Sequence, residues 1–144
     1  MKPSPELVLN QTFAKIAMEM GPALPAGYGQ GSATTTAVLL LMVAQEFDRA
    51  ADIRVRENCV MRALFADAAK SVEAALAASL AAAAGVRDED LTIAALDRVN
   101  GDLKSLLIEL QVWAEQKGER TLELRILRFL SEAAAARQVF LPAM

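Results

Sequence analysis

The chain has 144 residues, 54% of them hydrophobic and 5% aromatic, with a formal net charge of −3, one cysteine and no histidine. That acidic balance argues against a nucleic-acid partner, because a polyanion binder needs a basic face to displace counterions from phosphates. The missing imidazole excludes Ser-His-Asp triads, zinc and haem sites with imidazole ligands, and the Glu-x-x-His pairs of di-iron bundles. Nothing else marks a nucleophile, a metal site or a cofactor site, so no metal, no cofactor and no enzymatic activity are expected.

The length fits a single helical domain over residues 1–144. Much of the apolar content is alanine, as in residues 81–84 and 133–136, and such tracts are strong helix formers, which predicts an all-α fold. Cys59 on its own cannot form an intrachain disulfide and fits a reducing compartment, where a lone thiol is usually a small hydrophobe. The start, MKPSPELVLN, lacks the apolar region of a signal peptide, and the apolar run 37–44 falls well short of the roughly 20 residues that span a bilayer. The expectation is a cytoplasmic protein with no membrane partner.

Ser4-Pro5-Glu6 opens the first helix with a cap hydroxyl, a proline at the first helical position and an acid in the positive first turn. Leu9, Phe13, Ile16, Ala17 and Met20 recur at helical spacing as its buried stripe, and Gly21-Pro22 is read as its end. Residues 21–32 hold four of the seven glycines and two of the five prolines, a composition that predicts a surface loop, with Ser32 capping the next helix. Within it, GYGQGS over 27–32 lacks the strand and third glycine of a dinucleotide fingerprint and the lysine of a phosphate loop, which leaves an unspecific anion site or a plain connector.

Residues 33–84 contain neither glycine nor proline. One apolar stripe stays in phase throughout, from Leu40, Val43, Ala44 and Phe47 to Met61, Phe65, Ala68, Val72, Leu76 and Leu80. A single helix of that length measures about 78 Å, against a diameter of roughly 40 Å for a compact domain of this size. The segment is therefore either bent near residues 54–58 or the spine of a dimer. Gly85 ends it, and Asp88-Glu89-Asp90 supplies acids for the next helix start. Leu96, Val99, Leu103, Leu107, Leu110 and Ala114 form a further stripe that keeps its phase across Asn100-Gly101-Asp102, predicting one helix over 91–117. Leu122, Ile126, Phe129, Leu130, Ala133 and Phe140 line the last helix until Pro142. The whole reads as an antiparallel helical bundle of four to five helices.

Arg54, Asn58 and Arg62 recur at i, i+4 on or beside the apolar stripe of the long segment. Charges there need carboxylate partners, water or an opening, because an unpaired buried ion costs several kcal/mol. Three readings stay open: a paired structural layer, a bend out to solvent, and a site for an anionic ligand. Glu46, Arg49, Asp52 and Arg56 form a ladder of alternating sign that reads as a solvated face, as do Arg125, Arg128 and Glu132. Leu41 and Met42 make the run 37–44 apolar on nearly every side, and Trp113 lies at the edge of its stripe; each is either core or interface. Tyr28, the only tyrosine, is read as docked on its own bundle or as a partner's anchor. Together these features predict a protein that interacts with other proteins or self-assembles, as a homodimer or with another helical protein. The alternative is a binder of a small amphipathic or anionic ligand between helices.

Overall fold

A computed structural model of the chain describes residues 2–140, and among these it contains helices and no strand. The helices are α1 (Pro5–Lys15), a π-helical turn (Ile16–Met20), α2 (Gly21–Ala23), α3 (Tyr28–Ala68), α4 (Ala74–Gly85), α5 (Ile93–Lys117) and α6 (Arg120–Ala136). The all-α bundle expected from the sequence is what forms. The described residues fall into two compact units, 2–50 with 139–140, and 51–138. The first half of α3 belongs to one and its second half to the other.

In the first unit, Ser4 caps α1 as expected, its hydroxyl accepting from Leu7 N at 3.2 Å. Gly21-Pro22 does not end the helical run. Pro22 has no N–H for a regular turn, and the backbone inserts one residue over 16–20, with the Gly21 N–H donating to Ile16 O. That insertion turns the stripe by one position: Met20, expected inside, is exposed, and Gly21 is buried in its place. A Cβ on Gly21 would lie 3.1 Å from Ile16 O and in ordinary contact, at 3.9 Å, with the Ala33 Cβ, so the glycine makes room for the Ile16 carbonyl of the π-helical turn. The chain reverses over 24–27, where Gly27 takes φ 140°, open to glycine alone.

The surface loop expected over 21–32 is therefore largely helix. Tyr28, Gly29 and Gly31 lie in α3, and Ser32 lies within it rather than at its cap. The hydroxyls of Thr34, Thr35 and Thr36 donate to the carbonyls of Gln30, Gly31 and Ser32. The buried face of α3 here is Ala37, Leu41, Ala44 and Ala50, while Val43 and Phe47, expected in the stripe, are more than half exposed. Gln45 donates from Nε2 to Phe140 O at 2.6 Å and accepts from Phe140 N at 3.0 Å, tying down the chain after α6.

The second unit is a four-helix bundle made by the second half of α3 with α4, α5 and α6. Met61, Leu64, Phe65 and Ala68 of α3 pack with Leu80 of α4, with Leu103, Leu107, Leu110 and Ala114 of α5, and with Leu122, Ile126 and Phe129 of α6. Ion pairs and a hydrogen bond give the directions. Asp67–Arg125 and Glu57–Arg137 run α6 antiparallel to α3, while Arg54–Asp97 and Asn58–Asn100 run α5 parallel to it. Residues 54–58 lie inside α3, whose helical run continues through them, and the long segment divides instead at 69–73. There the Ser71 N–H and hydroxyl both bond Ala68 O, at 3.0 and 3.2 Å, and end the helix without glycine or proline. Asn100 and Gly101 lie inside α5 as one helix, and Gly118, at φ 70°, caps its end. Pro142, read as the end of the last helix, lies outside the described residues.

Candidate functional site

Arg54, Asn58 and Arg62 are brought together with carboxylates from two other segments, the connection before α5 and α5 itself. Arg62 meets Asp88, in the connection before α5, through Nη1 to Oδ2 at 2.9 Å and Nη2 to Oδ1 at 2.8 Å. Asn58 donates to the same Asp88 Oδ1 at 3.2 Å and accepts from Asn100 Nδ2 at 2.9 Å. Arg54 Nε donates to Asp97 Oδ1 at 2.6 Å. One turn away, buried Glu57 accepts from Arg137 at 2.7 and 2.9 Å and from Asn100 Nδ2 at 3.0 Å, and it pairs with Lys104 Nζ at 3.2 Å.

This layer crosses the second unit between the apolar tiers of α3 and α5. Asp88 was expected to open the next helix. Instead Thr92 is the cap, accepting from Ala95 N, and Asp90 holds the Thr92 N–H at 2.9 Å. That frees Asp88 to reach back to Arg62. Sequence reasoning missed Glu57, Asp88, Asp97, Asn100, Lys104 and Arg137. The available signal was Asn100, a polar residue in phase with Leu96, Leu103 and Leu107, where a buried amide needs partners.

The electrostatics follow from the pairing. Hydrogen bonds from Arg62 hold the Asp88 carboxyl below its ordinary range against the opposing effect of burial, and the same contact raises Arg62. Burial pushes Glu57 up, but the bonds from Arg137 and Asn100 and the charge of Lys104 outweigh it, and the net direction is down. Arg137 is raised by its bond to Glu57. Carboxylates held in this way stay ionised near pH 7, away from the match to working pH that proton transfer requires. A ligand anion reaching Arg62 would have to displace Asp88. Among the described residues, no three His, Cys, Asp or Glu side chains are placed to share a metal ion.

The residues named as interface candidates are spread over both units. Tyr28 is 94% exposed, contrary to the expectation that its ring docks on the chain's own bundle. Leu41 is buried and Met42 exposed, on different sides of α3. Trp113 is half-buried on α5 and lines a cleft of about 380 Å³ with Glu73, Leu76, Ser79, Glu109 and Val112. Of the ladder expected to be solvated, Arg56 and Asp52 form an exposed pair at 3.0 Å, whereas Glu46 and Arg49 are half-buried. In the first unit, Leu39, Met42, Val43 and Phe47 leave one face of α3 uncovered, and toward the start of α3 on that side lies a groove of about 540 Å³ lined by Ile16, Met20, Leu24, Gly29, Ser32, Ala33 and Thr36. No helix of the described residues is long and apolar enough to cross a membrane. Comparison with protein-family models, with curated proteins and with solved structures gives no match.

Proposed function

We propose that the protein acts through protein–protein contact in the cytoplasm, as a helical module that self-assembles and carries out no chemical step of its own. The observation that carries this reading is the uncovered face of α3 formed by Leu39, Met42, Val43 and Phe47, each between 41% and 56% exposed. The first unit has little interior to spare. Its buried hydrophobic residues are Ala37, Leu41, Ala44 and Ala50, one leucine and three alanines, while as many large apolar side chains of α3 stay in water. A helical pair of this size gains too little from its own contacts to leave such a face idle, and covering the face adds the missing burial.

The polar layer of the second unit supports the same reading. Its guanidinium groups are engaged by Asp88, Asp97 and Glu57, as in a structural element that fixes helix register. Ligand binding at Arg54, Asn58 and Arg62 is the weaker alternative, because it requires those contacts to break. Light scattering coupled to size exclusion tests the proposal. The chain should run at twice its 15.4 kDa mass, and the Leu39→Glu/Val43→Glu variant as a 15.4 kDa monomer. A monomer at every concentration, unchanged by the double variant, would overturn self-assembly.

A further inference from the structure

The uncovered face has a chemical character that narrows what can cover it. From Met20 to Gln45 no side chain carries a charge, in a chain in which 23% of residues do. Three of its polar side chains are also engaged locally: Thr34, Thr35 and Thr36 donate their hydroxyls to carbonyls one turn back. Such depletion of charge marks the core of a protein interface. A lipid surface fits poorly, because an interfacial helix carries lysine and arginine on its polar side and no basic residue lies between Lys15 and Arg49.

The face also holds a knob and a hole. Phe47, 53% exposed, projects from one end. Toward the other end lies the groove floored by Gly29, Ser32, Ala33 and Thr36, where a Cβ on Gly29 would meet nothing within 4 Å. The two features are about four helical turns apart on one side of the helix. A knob and a hole on the same face, separated along it, are self-complementary under a two-fold axis perpendicular to the helix.

Resting on the self-assembly reading, we infer that the occupant is a second copy of this chain, with the two α3 helices antiparallel and Phe47 of each seated in the Gly29–Ser32–Ala33–Thr36 groove of the other. The axis then crosses α3 beside Leu39 and Leu40. Thr36 of one copy meets Val43 of the other, and Glu46 meets Ala33. A parallel pair would instead bring Glu46 against Glu46 and Arg49 against Arg49, like charges in contact, whereas the antiparallel pair opposes the uncharged stretch to each charge. The area is adequate. With about 150–250 Å² for a fully exposed aromatic and somewhat less for an aliphatic side chain, Tyr28, Leu39, Met42, Val43 and Phe47 leave on the order of 600 Å² per chain uncovered. With the flanking threonines this approaches the roughly 800 Å² that each partner of a stable complex buries.

Two variants test the geometry in the full chain. Gly29→Leu fills the hole while improving helix propensity, so it should convert the dimer to a monomer with unchanged helicity. In a Cys59→Ala background, a mixture of Ser32→Cys and Glu46→Cys chains treated with a short bismaleimide should cross-link between the two variants, and Glu46→Cys alone should not. A dimer that survives Gly29→Leu and cross-links through Glu46→Cys to itself overturns the antiparallel pairing and leaves self-assembly standing. A chain that is monomeric at all concentrations overturns both. If that monomer floats with phosphatidylcholine–phosphatidylglycerol vesicles, the face belongs to lipid and the second copy is ruled out.

Discussion

Arg62 and Asp88 meet in a two-pronged ion pair whose side chains are only 10% and 6% exposed, and this contact fastens the connection between α4 and α5 to the C-terminal part of α3. The pair's worth lies in its completeness. Bringing both charges out of water costs nearly as much as their attraction returns, but removing one leaves the other buried alone.

Asp88→Ala should therefore destabilise the fold by about 3–5 kcal/mol, and Arg62→Met/Asp88→Leu together by much less. Urea denaturation midpoints of the two variants, at constant m-value, check the difference. Equal losses would mean that the pair contributes only through its own attraction.

Acid should weaken the protein through the same layer. Asp88 and Glu57 are lowered in the folded state, so between the folded and ordinary values the unfolded chain binds more protons and stability rises with pH. Their contribution is complete above the ordinary carboxylate values of about 4 and disappears as pH falls through the depressed folded ones. With no histidine in the chain, thermal midpoints between pH 5.5 and 7 should be nearly flat, with roughly no group of ordinary pKa titrating there. A midpoint series from pH 7 to 2.5 reads both limbs, and Glu57→Gln should shallow the acid one.

Asn100 joins the two halves of the layer, donating to Glu57 and to Asn58. Asn100→Leu would strip a buried carboxylate and a buried amide of a donor, a loss of about 1–3 kcal/mol that the added apolar volume does not recover. The check is again a denaturation midpoint, with Asn100→Gln as the control that keeps the amide.

Two glycines of α5 should respond in opposite directions. Gly101 lies inside the helix with open space around its Cβ position, so Gly101→Ala should stabilise by roughly 0.5–1 kcal/mol. Gly118 holds φ 70° at the C-cap, and Gly118→Ala should cost about 1–2 kcal/mol. Thermal midpoints of the two variants moving the same way would contradict the cap geometry.

The parts of this structure that were legible in the sequence are the ones set by local period. Leu96, Leu103, Leu107 and Leu110 are buried as their spacing requires, because a helix buried along one side repeats its apolar residues with the turn. The break at 69–73 was hidden, since Ala69, Lys70, Ser71, Val72 and Glu73 include no helix breaker and the stripe resumes in phase after them. Arg54, Asn58 and Arg62 could be read as a layer in need of carboxylates. Which partners was not readable: Asp88, Asp97 and Arg137 join the layer from far along the chain, and Asp88 carries the local appearance of a helix-start acid. The glycines of GYGQGS suggested a loop, yet α3 takes in Gly29 and Gly31, because each costs only about 1 kcal/mol in a helix and a long helix absorbs it.

The π-helical turn at Ile16–Met20 makes the first helical run one residue longer than an α-helix of the same reach. Deleting a single residue there, Met18 for example, would restore ordinary hydrogen bonding and also swing Pro5–Lys15 by about 100° relative to Gly21. The side chains of Leu9 and Phe13, now half-buried, would then turn to a different side of the chain. The extra residue thus works as a spacer in the angular register of the chain, and this short segment should accept substitutions far more readily than changes of length.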